Sequence, residues 1–374
     1  MSELFEYKCP ACGGALQFDT ATQKMKCPYC ESEYDVSMLQ GVDERLSQQQ
    51  GAQPVQQQVN EAQSVTGDSF SWQNQQSSWS ANEGMNVYIC NSCGGEIVGD
   101  ANTAATSCPY CGNPVVMSGM LSGDLKPDFV IPFKHDKNGA KNALKQYVGK
   151  KKFAPSTFKS ENRLNEIKGI YVPFWLFDSN ASASVTYTGT RVRTWSDSKY
   201  NYTETSYFDI YRAGYMSFMN IPVDGSTKMP DELMESIEPF NFNEAVPFQT
   251  AYLAGFLADK YDVTMENSTD RANQRIKTSC EDTLKTTVSG FSTVTTKSSA
   301  VQIYGGVAKY ALYPVWILNT EYKGEKLTFG MNGQTGKIVG NIPVSKAKLA
   351  GLFAAITVVG TPLIFGVARL FGIF

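Results

Sequence analysis

The sequence predicts a multidomain α+β protein with two small four-cysteine ribbons, a β-rich antiparallel α+β domain and one C-terminal transmembrane helix. Three observations lead there. Eight of the nine cysteines fall into four C-x-x-C pairs, the middle of the chain is dominated by Tyr-, Val- and Thr-rich stretches, and Leu349 to Ala368 contains no charged residue. At 374 residues the chain exceeds the usual size of one domain. The pattern divides it into a first ribbon over 1–39, a Gln-rich linker over 40–83, a second ribbon over 84–118, the α+β domain over 119–345 and the C-terminal segment 346–374.

The ribbons form an internal repeat. Cys9 and Cys12 are followed, after fourteen intervening residues, by Cys27 and Cys30, and Cys90 and Cys93 are followed in the same way by Cys108 and Cys111. Each C-x-x-C turn places two thiolates on one side of a tight knuckle, and two knuckles close a tetrahedron about a metal. Gly13, Gly14, Gly94, Gly95 and Gly112 sit where the chain turns sharply after a ligand. Zinc is the default metal for two structural four-cysteine sites, with iron in a rubredoxin-like site as the competitor. Four protein ligands leave no open position for catalysis. Thiolates in this number point to a reducing compartment and not to disulfides.

Charge narrows what a ribbon can bind. Over 1–39, Lys8, Lys24 and Lys26 face six acidic residues, and from Gly84 to Val116 there is no Lys or Arg at all. A zinc centre with four thiolates adds further negative charge. Phosphate-backbone binding depends on Lys and Arg displacing counterions, so nucleic acid is disfavoured and a protein partner is expected. The net charge of −3 gives no contrary signal.

The linker is too polar to bury a core, and its Phe70, Trp72 and Trp79 read either as scattered aromatics or as a docking peptide. Beyond a strand at Phe129 to Phe133, a helix is expected with Ala140, Leu144 and Val148 on its apolar face. Lys137, Lys141 and Lys145 recur on another face, and Lys150, Lys151 and Lys152 follow. Such a run is a solvated face unless it meets anionic lipid or an acidic partner. GIYVPFWLFD and YALYPVWILN then echo each other, matching Pro173 and Trp175 with Pro314 and Trp316. Proline cannot donate to a ladder, so each strand is expected at an edge, starting late or bulged, within two similar sheet halves. Long Tyr-rich strands follow the first of these, offering either a half-buried sheet face or a ligand surface.

A short helix is expected at Met229 to Phe240, and a longer one from near Ser268 with the stripe Ala272, Ile276, Cys280, Leu284 and Val288. Cys280 reads as a buried hydrophobe and not a nucleophile. Turns are expected at Lys323-Gly324 and around Asn332-Gly333. GMNGQTGK fails as a phosphate loop because five residues separate Gly330 from Gly336 and Ile338 follows the Lys. The single histidine, His135, leaves no Cys-His or Ser-His-Asp machinery, so no catalytic residue and no enzymatic activity are expected.

A helix rising about 1.5 Å per residue crosses about 30 Å of hydrocarbon in roughly 20 residues, so Leu349 to Ala368 is expected to span a bilayer as a tail anchor. Lys337, Lys346 and Lys348 before it place the bulk of the chain on the cytosolic side of the cytoplasmic membrane.

CPACGG, CPYC, the Gln-rich linker, KGIYVPFWLFD, YPVWIL and MNGQTGKIVG together resemble a bacterial, YdjG-like family of zinc-ribbon membrane proteins. The resemblance implies an anchored platform that works with phage-shock-protein-A-like partners in envelope stress. The expected function is therefore a membrane-anchored adaptor recruiting soluble proteins. The alternative is a membrane-tethered nucleic-acid-binding protein using the Lys137 to Lys152 face.

Overall fold

The computed structural model describes residues 4–5, 7–39, 86–89, 96–99, 103–107, 114–117, 126–155, 158 and 166–370. The expected linker at 40–83, with Phe70, Trp72 and Trp79, lies outside them. Within the first 120 residues the strands are β1 Leu4–Phe5, β2 Gln17–Asp19, β3 Lys24–Lys26, β4 Glu33–Tyr34, β5 Asn86–Ile89, β6 Glu96–Gly99, β7 Thr103–Ser107 and β8 Pro114–Met117. There follow β9 Phe129–Val130, α1 Lys137–Lys150, β10 Lys168–Ser196, β11 Asn201–Asp224, α2 Asp231–Ile237 and β12 Val246–Pro247. The chain continues with β13 Leu257–Asp259, α3 Met265–Thr286, β14 Thr293–Tyr322, β15 Glu325–Asn332, β16 Ile338–Gly340 and α4 Lys346–Leu370.

The main sheet has 11 strands in the order β1-β8-β7-β13-β10-β14-β15-β16, with β11 on β10 and β9 joining β12 to β14. Burial along β10 follows its sequence. Gly169 to Phe177 is buried on both faces, Asp178 to Thr190 alternates, and Arg191 to Ser196 is exposed. The strand thus leaves a two-sided core, passes under one helix and ends in solvent. That helix is α3, whose Met265, Ser268, Ala272, Ile276, Cys280 and Leu284 are buried. It starts three residues before the expected Ser268, because Thr264 accepts the Asn267 amide as an N-cap, and it ends before Val288. In α1 the buried stripe is Ala140, Leu144 and Val148, capped by Asp136 accepting from the Gly139 amide at 2.7 Å. Lys323 and Gly324, both at positive φ, turn β14 into β15.

The two P-x-W segments are neighbours in one sheet, not halves of two. β10 and β14 pair antiparallel, with Tyr171 opposite Pro314 and Pro173 opposite Leu312. Neither proline is at an edge. On the far side of β10, β13 pairs as far as Tyr171 and β11 from Phe174, so Pro173 falls where the neighbouring strand changes. Pro314 falls at the matching gap between β9, paired at Ala311 and Leu312, and β15, paired from Val315. A missing N–H costs nothing where no ladder partner stands opposite it.

The two joints are duplicated in detail. Gly225 donates to Pro173 O at 2.9 Å, and Gly333 donates to Pro314 O at 2.8 Å. Gly225 O accepts from the amides of Asp262 and Val263, and Gly333 O from those of Lys134 and His135. The Trp175 indole donates to Val263 O, and the Trp316 indole to His135 O, each at 2.9 Å. Tyr261 packs on Trp175 as Phe133 packs on Trp316, with centroids 4.8 and 5.3 Å apart. The chain therefore repeats the unit β9-α1-β10-β11 as β13-α3-β14-β15. The units interlock, since β9 pairs in parallel with β14 and β13 with β10.

The C-terminal expectation is overturned. The segment forms α4, but among the described residues no helix is long and apolar enough to cross a membrane. The side chains of α4 are not uniformly apolar. They include Lys346, Lys348, Gly351, Thr357, Gly360, Thr361 and an internal proline. The predicted transmembrane helix, its role as a tail anchor and the single-pass placement in the cytoplasmic membrane accordingly do not stand. The start of α4 is held by the body, through Ser345 N to Phe153 O at 2.8 Å and Lys348 Nζ to Ala154 O at 2.7 Å.

Candidate metal centre

The first ribbon is built from β2, β3 and β4, which form a small antiparallel sheet flanked by two knuckles of the same design. Cys9 N donates to Gly14 O at 2.7 Å and Gly13 N returns to Cys9 O at 2.8 Å. In the second knuckle Cys27 N donates to Ser32 O at 3.0 Å and Glu31 N to Cys27 O at 2.9 Å. Gly13 and Glu31 occupy the same step of the turn, at φ of 74° and 59°. Glycine accepts that conformation freely, while Glu31 is held in it by the knuckle. Gly14 is required for space, because a Cβ there would lie 2.4 Å from the Tyr29 ring.

The four sulfurs of Cys9, Cys12, Cys27 and Cys30 lie within 4.8 Å of one another. Cys9 to Cys30 is 3.6 Å and Cys12 to Cys27 is 3.4 Å. A tetrahedral zinc with bonds of about 2.3 Å would set sulfurs roughly 3.8 Å apart, so the donor set and its spacing fit. At Cys9, burial, which raises the pKa, is outweighed by hydrogen bonds from the Tyr34 hydroxyl and the amides of Cys12 and Ala11, and the pKa falls to about 6. At Cys12 the Gly14 amide lowers it, but hydrogen bonds with Cys27 and Cys30 prevail and push it up to about 12. The sulfurs resist carrying charge together, and a dication is the group that would let all four ionise.

The ribbon is seated on the core. Tyr7, Leu16, Phe18, Met25 and Val36 bury together with Cys9, Cys27, Ala251 and Ala254, the last two from the 3-10 turn Thr250–Leu253 and its cap. Phe18 N donates to Ala254 O and Gln23 Nε2 to Phe133 O, both at 2.9 Å, and the hydroxyls of Tyr7 and Thr250 are hydrogen-bonded. Between ribbon and core runs a cleft of about 840 Å³, with Gln17 to Ala21 on one side and His135, Lys137, Lys168, Phe256 and Trp316 on the other. One wall of this cleft thus belongs to the ribbon that carries the four cysteines.

Cys90, Cys93, Cys108 and Cys111 lie outside the described residues, so among the described residues one four-cysteine site is seen where two are expected. The adjoining strands are described: β5 pairs with β6, while β7 and β8 join the main sheet between β13 and β1. Lys137, Lys145, Lys150, Lys151 and Lys152 are exposed along and beyond α1, and Lys141 is half-buried. His135 serves the fold through its backbone, its amide donating to Gly333 O and its carbonyl accepting the Trp316 indole. Cys280 is fully buried, and burial pushes its thiol up to about 11.

Missing from the sequence reading was the joint itself. Its signal was present, because Asp224-Gly225-Ser226-Thr227-Lys228 echoes Asn332-Gly333-Gln334-Thr335-Gly336-Lys337 after the matching P-x-W strands.

A closed four-cysteine knuckle pair seated on a duplicated, β-rich α+β core defines the class. No family model matches the chain, and no solved structure matches it. The uncharacterized protein YdjG of Bacillus subtilis (strain 168) is 38% identical over 241 residues, which make up 64% of this chain and 71% of that protein. The chain belongs to the YdjG family.

Proposed function

We propose that this protein is a non-enzymatic adaptor whose first ribbon, closed by zinc, docks a protein partner. The observation that carries the reading is the closed four-sulfur cluster with exposed apolar side chains on the ribbon around it. Tyr29, inside the second knuckle, is 69% exposed, and Met38, at the end of the ribbon, is 77% exposed. Four protein ligands leave the metal no position for substrate, so its contribution is to hold a recognition surface in shape. An exposed tyrosine on a rigid turn is a favoured interface anchor, and the scarcity of cations on the ribbon favours protein over nucleic acid. A phage-shock-protein-A-like protein is the partner class that the sequence resemblance implies.

The test is chemical crosslinking in cells and co-purification, comparing wild type with Tyr29→Ala and with Cys9→Ser, Cys12→Ser, together with metal analysis. The reading expects one zinc per intact first ribbon. It also expects a specific protein captured by wild type and lost in both variants, with far-UV circular dichroism of Tyr29→Ala unchanged. Capture that is indifferent to both changes, or consists of nucleic acid, overturns it.

A further inference from the structure

β11 is a long edge strand that lacks the usual protection. It pairs only with β10 among the described residues, in an unbroken register from Asn201 to Ser217 without a bulge. No proline interrupts it before Pro222, and only Glu204, Asp209 and Arg212 are charged between Asn201 and Met219. Natural sheets blunt such edges with prolines, bulges or covering elements, because unpaired N–H and C=O groups invite another strand. One of the three charges is already engaged, since Asp209 bonds Lys297 at 2.7 Å across the open face.

We infer that this edge pairs with the same edge of a second copy, antiparallel about a two-fold axis at Phe208. Residues opposed across a ladder share a face, so the axis must pass through a residue. Centring on Glu204, Asp209 or Arg212 would oppose like charges. Only centring on Phe208 sets Glu204 opposite Arg212 of the second copy, twice by symmetry, with the two Phe208 rings side by side. All three residues lie on the face that carries α3. There Arg212 is positioned by hydrogen bonds to Thr287 Oγ1 at 3.1 Å and Tyr211 O at 2.9 Å. Phe208 is held beneath the Arg191 guanidinium, 5.2 Å from its ring centroid, and against Phe291. α3 runs beside the Arg212 to Pro222 end of β11, through Arg212 to Thr287 and Arg275 to Pro222 O, so this register sets the two α3 helices toward opposite ends of the paired segment. The partner is therefore a second copy of this chain, and the product is one sheet continuous across the dimer.

Sedimentation velocity on the full chain tests this with Glu204→Arg, Arg212→Glu and the double reversal, and far-UV circular dichroism confirms folding. Each single reversal opposes like charges twice and is expected to raise the dimer dissociation constant about tenfold or more, while the double reversal restores it. A photoreactive benzoylphenylalanine in place of Phe208 should crosslink to the same β11 segment of the second copy. A wild-type chain that stays monomeric across the concentration range, a dimer insensitive to the reversals, or crosslinks mapping elsewhere overturns the inference.

Discussion

Trp175 and Trp316 make the same hydrogen bond in two copies of one joint, each indole donating at 2.9 Å to the carbonyl of the residue just before a helix cap. Each follows a proline whose carbonyl holds a glycine amide, and each packs at a steep angle against an aromatic from the segment leading into that helix. The joints are nevertheless not equally packed. A Cβ on Gly333 would lie 2.6 Å from the Phe133 ring and 2.9 Å from Pro314 O, whereas one on Gly225 would meet nothing closer than 3.4 Å. Gly333→Ala is expected to destabilise by about 1–3 kcal/mol and Gly225→Ala by less than about 1 kcal/mol. Urea unfolding of the two variants checks the difference, and equal losses would contradict the geometry.

The residues preceding those glycines also differ. Asn332 is fully buried, with its amide donating to Ile237 O and Pro239 O at 3.1 Å and its Oδ1 accepting from the amides of Gln334 and Thr335 at 2.9 Å. Asn332→Leu leaves four backbone groups unpaired and should cost about 3–5 kcal/mol, read from the unfolding midpoint.

Asp224 stands in the equivalent place with Oδ1 accepting from the Ser226 amide and Oδ2 buried without a hydrogen-bond partner. Burial pushes its pKa up to about 7. Because the folded pKa lies above the unfolded value near 4, the folded state holds a proton that the unfolded state releases. Stability from this group is complete below about pH 4 and is lost as pH rises toward about 7, by up to about 1.4 kcal/mol per pH unit. Asp224→Asn should flatten that slope in stability measured from pH 4 to 8. A slope unchanged by the substitution would assign it to other groups.

Metal removal should act beyond the ribbon. Met25 and Cys27 are fully buried, and they share a cluster with Ala251 and Ala254 of the core. Chelation is expected to raise amide hydrogen exchange at 7–39 and also at Thr250–Leu253, while α3 stays protected. Exchange confined to the ribbon would mean that its seat on the core is independent of the metal.

Thiol chemistry separates the two kinds of cysteine. After chelation, Cys12 and Cys30, both exposed, should be alkylated by iodoacetamide well before Cys280, which is fully buried and out of reach of the reagent. Peptide mass mapping over time reads the order, and early modification of Cys280 would refute its assignment to the core.

Local chemistry was legible without a structure. The spacing of Cys9, Cys12, Cys27 and Cys30 determined which atoms meet, because a knuckle's geometry is set within a few residues. The periodicities of Ala140, Leu144 and Val148, and of Ala272, Ile276, Cys280 and Leu284, determined which helix faces are buried. Lys323-Gly324 determined a hairpin, since both residues sit at positive φ. Tertiary structure decided what depends on neighbours distant in sequence. It set Pro173 and Pro314 in central strands, harmlessly, because a proline's cost depends on which strand lies alongside. It seated the first ribbon on Ala251 and Ala254 through apolar surface whose destination no local pattern specifies. It also overturned the expected bilayer crossing, which had rested on the length, lack of charge and flanking lysines of one segment, and interlocked two β-α-β-β units by pairing each unit's first strand with the other's long strand. Pairing between strands distant in sequence is chosen by the complementarity of whole faces, and a single segment carries only half of that information.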